Sequence, residues 1–440
     1  MLITQAKIVN EGRIIEGDVL IKGQHIDKIA PFIAAPPRTK VIDAKGKLLL
    51  PGFIDDQVHF REPGAPDKGD IATESAAAVA GGTTSFMDMP NTNPQTVTHA
   101  ALAAKFSAAA GRAHANYAFY FGATNDNLAE IESLKHGEAC GVKVFMGAST
   151  GNMLVDNPDT LDRIFSRCPL LIATHCEDTP TIKANEARAR EKYGDNVPVA
   201  EHPNIRSEEA CWKSSSFAVS LAKKHNANLH VLHLTTAREL ALFEPGPVAG
   251  KKITAEVCAH YLLLDDTYYA KLGNKIKCNP AIKTQADRKG LIQGVKDGRI
   301  ALIATDHAPH TAEEKAKPYL QAPSGLPLIQ HSLQMLLELV TRGELDLHTV
   351  VAKTSHDVAQ RFGVKDRGYI REGFLADLVL VDPKTPHTVT PESLLYKCRW
   401  SPFEGQTFSH SIVATWVSGH LAYSEGKVSA KPSGKRLEFS

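Results

Sequence analysis

Apolar and polar residues alternate along the opening stretch, MLITQAKIVNEGRII, with the period of a half-buried strand. Similar runs at 3–9, 18–21, 25–29 and 40–43 are separated by Gly or Pro and predict an all-β module over residues 1–50. So short a module cannot cover its own sheet face, so it needs a partner. The far end of the chain supplies one: residues 373–440 carry GFLADLVLVD and SIVATWVSGHLAYSEGKV, again β-branched runs with turn residues between them. The two ends together predict one composite β domain. Between them, over 51–372, apolar runs at 48–55, 83–89, 116–123, 141–146, 170–175, 229–234, 253–258 and 300–306 alternate with helical patterns such as 71–80, 100–110 and 207–225. Eight strand-like runs with helices between them predict an α/β fold, a (β/α)8 TIM-like barrel. The rival is a doubly wound open sheet, but no GxGxxG or GxxxxGK[ST] follows any strand. Residues 177–206 are polar and read equally as a loop over a site or a solvated excursion.

Charge narrows the partners. Fifty basic side chains against forty-nine acidic ones, with no long run of one sign, argue against a nucleic-acid or membrane surface and for small-molecule chemistry. The N-terminus lacks the basic start and unbroken apolar core of a signal peptide, and no stretch approaches the length of a membrane span. Seven scattered cysteines without CxxC spacing indicate reduced thiols in a cytoplasmic protein.

Candidate chemistry begins in DDQVHFREPG, residues 55–64, where strand alternation places Asp55, Gln57, His59 and Arg61 on one face. Burying that set requires a metal or an anionic ligand. In a barrel, functional side chains gather at the carboxyl ends of the strands. There the sequence puts Gln57, His59 and Arg61 (first strand), Asn91 in MPNTNP (second), Lys143 in GVKVFMG (fourth), His175 in IATHCED (fifth), His233 in HVLHLTT (sixth), Asn279 in KCNPAIK (seventh), and Asp306 and His310 in ATDHAPH (eighth). A rim hydrogen bond or a turn explains any one of these; together they place zinc-type ligands at one strand end after another. Lys143 is unusual because an unpaired ammonium inside a barrel is strongly disfavoured. Either it pairs with Asp306, or its amine loses a proton, takes up carbon dioxide and becomes a metal-bridging carbamate.

These residues resemble the amidohydrolases acting on cyclic amides, and within them the dihydroorotases, over nearly the whole chain. ATDHAPHTAEEK matches one dihydroorotase signature, and VHFREPG with MPNTNP most of another. THCED, VKVFMG and CNPAIK are shared with hydantoinases, dihydropyrimidinases and allantoinases. The resemblance implies zinc held by His59, carbamylated Lys143 and Asp306 at one position, and by Lys143, His175 and His233 at another. It also implies that Arg61, Asn91 and His310 grip the substrate carboxylate, that Asn279 meets the pyrimidine ring edge, and that Asp306 shuttles the proton. The reaction implied is reversible hydrolysis of dihydroorotate to N-carbamoyl-aspartate by metal-activated water, in pyrimidine biosynthesis, by a homo-oligomer (dimer or tetramer). One departure is plain: the family opens this segment with His-x-His, and here the first His is Gln57. A neutral amide oxygen is the poorer zinc ligand, so the expectation is one tightly held metal, with the second weaker or absent. The alternatives are a hydantoinase-, allantoinase- or dihydropyrimidinase-type cyclic amidase, or an inactive homologue partnering aspartate transcarbamoylase.

Overall fold

The computed structural model describes residues 1–147 and 153–440. Its strands fall into an outer sheet and a barrel. The outer sheet has nine strands, ordered Lys427–Val428, His420–Ser424, Ser411–Val417, Leu378–Asp382, Leu48–Pro51, Leu2–Asn10, Arg13–Lys22 and His25–Ala30, with Val41–Asp43 added beside Leu2–Asn10. Leu48–Pro51 is the seam between the two chain ends. It runs parallel to Leu2–Asn10 on one side and antiparallel to Leu378–Asp382 on the other. Leu49, Leu378, Leu380 and Trp416, all almost fully buried, close a core of their own beneath this sheet.

Here the expected run 48–55 divides. Leu48–Pro51 belongs to the outer sheet, and the first barrel strand is Phe53–Val58. Gly52 is the break, and only Gly fits: a Cβ there would lie 2.0 Å from Thr84 Oγ1 on the neighbouring strand. Apolar content is uniform across 48–54 and could not reveal this change of sheet.

The barrel follows as parallel neighbours: Phe53–Val58, Thr83–Asp88, Asn116–Phe119 continued by Phe121–Gly122, Val142–Phe145, Ile172–His175, Leu229–Val231, Ile253–Cys258 and Leu302–Ala304. A bridge between Val58 and His307, with the His59 amide donating to His307 O at 2.7 Å, closes the ring. The expected α/β barrel with a β-rich domain is therefore the observed fold. Its helices start where the side chains can satisfy free N–H groups: Asp70 caps Ile71–Ala80, and Ser207 caps Glu208–His225. At the opposite end of the barrel, Arg361 of Asp357–Phe362 donates to Leu229 O at 2.8 Å.

Residues 177–206 are mostly helical rather than an open loop. Asp178 caps Thr179–Tyr193, and Ile182, Val197 and Ile205 pack with Ala210 and Tyr319 as a small satellite core. That docking brings the two ends of the segment, Glu177 and Arg206, back together. No helix among the described residues is long and apolar enough to cross a membrane.

Candidate active site

The carboxyl ends of the strands converge on a cavity of about 30 Å³, space for roughly one water. Gln57, His59, Arg61, Asn91, Lys143 and His175 line it, as do His233, Asn279 and Asp306. His310 lies just outside, in an open cleft of about 570 Å³ that begins at Arg61 and Asn91 and continues past Lys68. The structure thus gathers in one region every residue the sequence singled out at the strand ends, apart from Asp55. Register shifts near Asp55 turn its carboxylate away, to accept from Thr305 N–H at 3.1 Å and Thr305 Oγ1 at 2.6 Å. Simple alternation along a regular strand could not foresee that irregularity.

Backbone conformation aims several of these side chains. Arg61, His233 and Asp306 have φ of 67°, 41° and 51°, in the left-handed region that costs L-residues of order 1 kcal/mol or more. Such strain persists only where the surroundings enforce it, here at three strand ends facing one cavity.

The donor atoms suit a zinc-type ion. Glu177 Oε2 sits 2.9 Å from His175 Nε2, and a carboxylate can only accept, so Nε2 carries the proton and Nδ1 keeps its lone pair. Burial alone would raise Glu177, but Arg206 and His175 outweigh it and hold its carboxyl at about 2. His175 Nδ1 faces His233 Nε2 at 3.0 Å. Whichever nitrogen of His233 bears the proton, one stays unsatisfied, because buried Nδ1 has no hydrogen-bond partner among the described residues. Burial pushes His59, His175 and His233 below the ordinary imidazole range, so all three are neutral, as ligands must be. With the proton on His233 Nδ1 two lone pairs face each other, and a cation between them would satisfy both.

Beside this pair, His59 lies between two oxygens, with Nδ1 2.9 Å from Asn91 Oδ1 and Nε2 3.2 Å from Asp306 Oδ1. Burial favours the neutral Asp306 acid, yet His59, His233 and Lys143 together hold it ionised, at about 2. Lys143 is 1% exposed and forms no ion pair with Asp306; its Nζ stands 4.6 Å from the Phe145 ring centroid. Burial lowers its amine to about 8, so roughly a tenth of it is neutral at pH 7. Gln57 turns its amide N–H toward Asp306 Oδ1 at 3.2 Å, a donor where a ligand would present a lone pair.

At the cleft edge, Arg61 Nε donates to Pro309 O at 2.9 Å, and its terminal nitrogen lies 3.1 Å from His310 Nε2. Arg61, partly buried, makes no ion pair with any described carboxylate. Trp400 Nε1 donates to His310 O at 2.7 Å, so residues reaching back from the second half of the chain fix this corner. Sequence reasoning missed Glu177, Arg206 and Lys68, whose Nζ is 3.3 Å from His310 Nδ1. Glu177 stands two residues after His175 in THCED, and that spacing was the available signal.

A barrel carrying imidazoles, a buried lysine and an aspartate at its strand ends defines a hydrolase with a metal-type donor set. The chain belongs to the amidohydrolase family, whose model matches residues 48–422. It is 31% identical to an allantoinase of Rubrobacter xylanophilus over 443 aligned residues, covering 97% of this chain and 96% of that one. It is also 31% identical to a dihydroorotase of Methanothermobacter thermautotrophicus over 387 residues, covering 88% and 86%. Among solved structures, the L-hydantoinase (dihydropyrimidinase) of Arthrobacter aurescens superposes with a TM-score of 0.93 at 26% identity, covering 99% of each chain.

Proposed function

We propose that the chain is a dihydroorotase, within the metal-dependent cyclic amide hydrolases to which its family and its site assign it. One observation carries the choice of substrate: the Arg61 guanidinium, partly buried and without a carboxylate partner among the described residues, faces the cleft beside Asn91 and His310. A partly buried guanidinium at a cleft suits an anionic ligand, and dihydroorotate brings a carboxylate where hydantoin and dihydrouracil bring none. A second reading, a cyclic amidase for a neutral ring, is favoured by the equal likeness to an allantoinase.

On this proposal His175, His233 and Lys143 as its carbamate hold the main zinc, with His59 and Asp306 holding a weaker second ion that Gln57 does not assist. When bound, zinc supplies a water ionisable near neutral pH and polarises the carbonyl under attack. Asp306, ionised and at the cavity wall, takes the proton from the attacking water and delivers it to the departing ring nitrogen. Arg61 binds the substrate carboxylate with two N–H groups, Asn91 and His310 complete the grip, and Asn279 faces the ring. Glu177 keeps His175 in the tautomer that leaves Nδ1 free.

The test is a panel of dihydroorotate, dihydrouracil, hydantoin and allantoin with zinc-loaded enzyme. The expected outcome is kcat/KM for dihydroorotate at least about tenfold above every other ring, since one carboxylate contact is worth more than 1.4 kcal/mol. Turnover of allantoin or hydantoin without dihydroorotate turnover would sink the proposal.

A further inference from the structure

Inside the barrel, three side chains that the proposed reaction does not use meet from three strands: Asp56 on Phe53–Val58, His230 on Leu229–Val231 and Glu256 on Ile253–Cys258. Each is 0% exposed, and one donor atom from each lies within 4.8 Å of the other two. His230 Nε2 is 3.0 Å from Glu256 Oε2 and 3.4 Å from Asp56 Oδ2. The other nitrogen, Nδ1, is 2.8 Å from Thr254 Oγ1, and that hydroxyl uses its one proton on Leu229 O at 3.4 Å. Nε2 thus faces two carboxylates, and its single proton could serve only one of them. One imidazole nitrogen and two carboxyl groups therefore meet at one spot in a dry interior. Neither Asp56 oxygen has a hydrogen-bond partner among the described residues. Two buried acids so close repel unless a proton or a cation lies between them.

We propose that Asp56, His230 and Glu256 bind a divalent metal ion of the zinc or manganese type, at a site distinct from the one at the strand ends. A mixed imidazole and carboxylate set is the donor chemistry of such ions. The spacing also fits, since ligand atoms about 2.1 Å from a tetrahedral ion stand roughly 3.4 Å apart. The ion joins three strands that are not all adjacent and so cross-braces the barrel interior. It also reaches the active site in one step, because Glu256 Oε1 accepts the His233 N–H at 3.3 Å and so helps hold that residue in its strained conformation.

The test is anomalous diffraction from native crystals grown with zinc chloride, combined with elemental analysis. A peak is expected between Asp56, His230 and Glu256, separate from that beside Lys143, His175 and His233. Asp56→Asn, which keeps the shape of the side chain, is expected to lose about one metal ion per chain while the strand-end peak remains. Crystals that show the strand-end peak and none at the triad would overturn the proposal, as would unchanged metal content in Asp56→Asn; a shared proton would then hold the three groups together. Should Asp56→Asn fail to fold, the native map alone decides. Because the two peaks lie at different places, loss of this site and loss of the proposed reaction are read separately.

Discussion

Replacing Arg61 by Lys tests the substrate reading most directly, because it keeps the charge and removes the fork. In the structure the guanidinium is positioned by Nε, bound to Pro309 O at 2.9 Å, while its far end reaches the cleft beside His310 at 3.1 Å. A lysine ammonium cannot hold the Pro309 carbonyl and also meet a carboxylate with two parallel N–H groups. The substitution therefore costs at least one charge-assisted hydrogen bond, about 1.5–3 kcal/mol, or roughly a 10- to 150-fold fall in kcat/KM for dihydroorotate. Dihydrouracil is the matched control, since it is the same ring without the carboxylate, and its kcat/KM should change by no more than about twofold. Steady-state ring opening followed by ultraviolet absorbance, with metal content measured in parallel, gives both numbers. Equal losses for the two rings would refute the carboxylate assignment and turn attention to a general role for Arg61 in shaping the cleft.

Further outcomes follow from the same geometry. Asp306→Asn should abolish turnover while leaving most of the metal, because His175, His233 and Lys143 are untouched; near-normal activity would end the proton-shuttle role. Gln57→His should add about one metal ion per chain at the position beside His59 and Asp306, as an imidazole lone pair replaces an amide N–H aimed at Asp306; unchanged content by elemental analysis would contradict the weakened position. His331, buried against Tyr396, is lowered by its burial to about 3. The folded-state pKa is depressed, so the unfolded chain binds the extra proton and stability falls as pH drops below about 6.5 toward 3, by about 2 kcal/mol between pH 7 and pH 5. Urea unfolding of His331→Gln should lose that part of the pH dependence, and an unchanged slope would show that His331 does not supply it.

How much could be read without the structure follows from which interactions are local. Helix Ile71–Ala80 was legible to the residue because its apolar spacing and its Asp70 cap are written within a dozen positions. The barrel was legible because each strand is a short apolar run and each polar residue of interest closes one, so strand-end chemistry shows as a repeated local pattern. The division at Gly52 was not, since the apolar run is the same in either sheet and the deciding contact is with Thr84. Likewise Asp55 left the face it shares with Gln57 in a regular strand, because the first strand departs from regular register as the ring closes.

The sequence by itself determined the fold class and the set of chemical groups at the strand ends, because these depend on periodicity and residue identity. Only the tertiary structure decided what those groups do to one another. Glu177 selects the lone pair of His175, burial lowers the Lys143 amine, and Arg61 faces the cleft without a carboxylate partner. It alone also set Asp56, His230 and Glu256 together, from three strands with no shared sequence signal. Distance, burial and the direction of each lone pair arise only when remote segments close around one point.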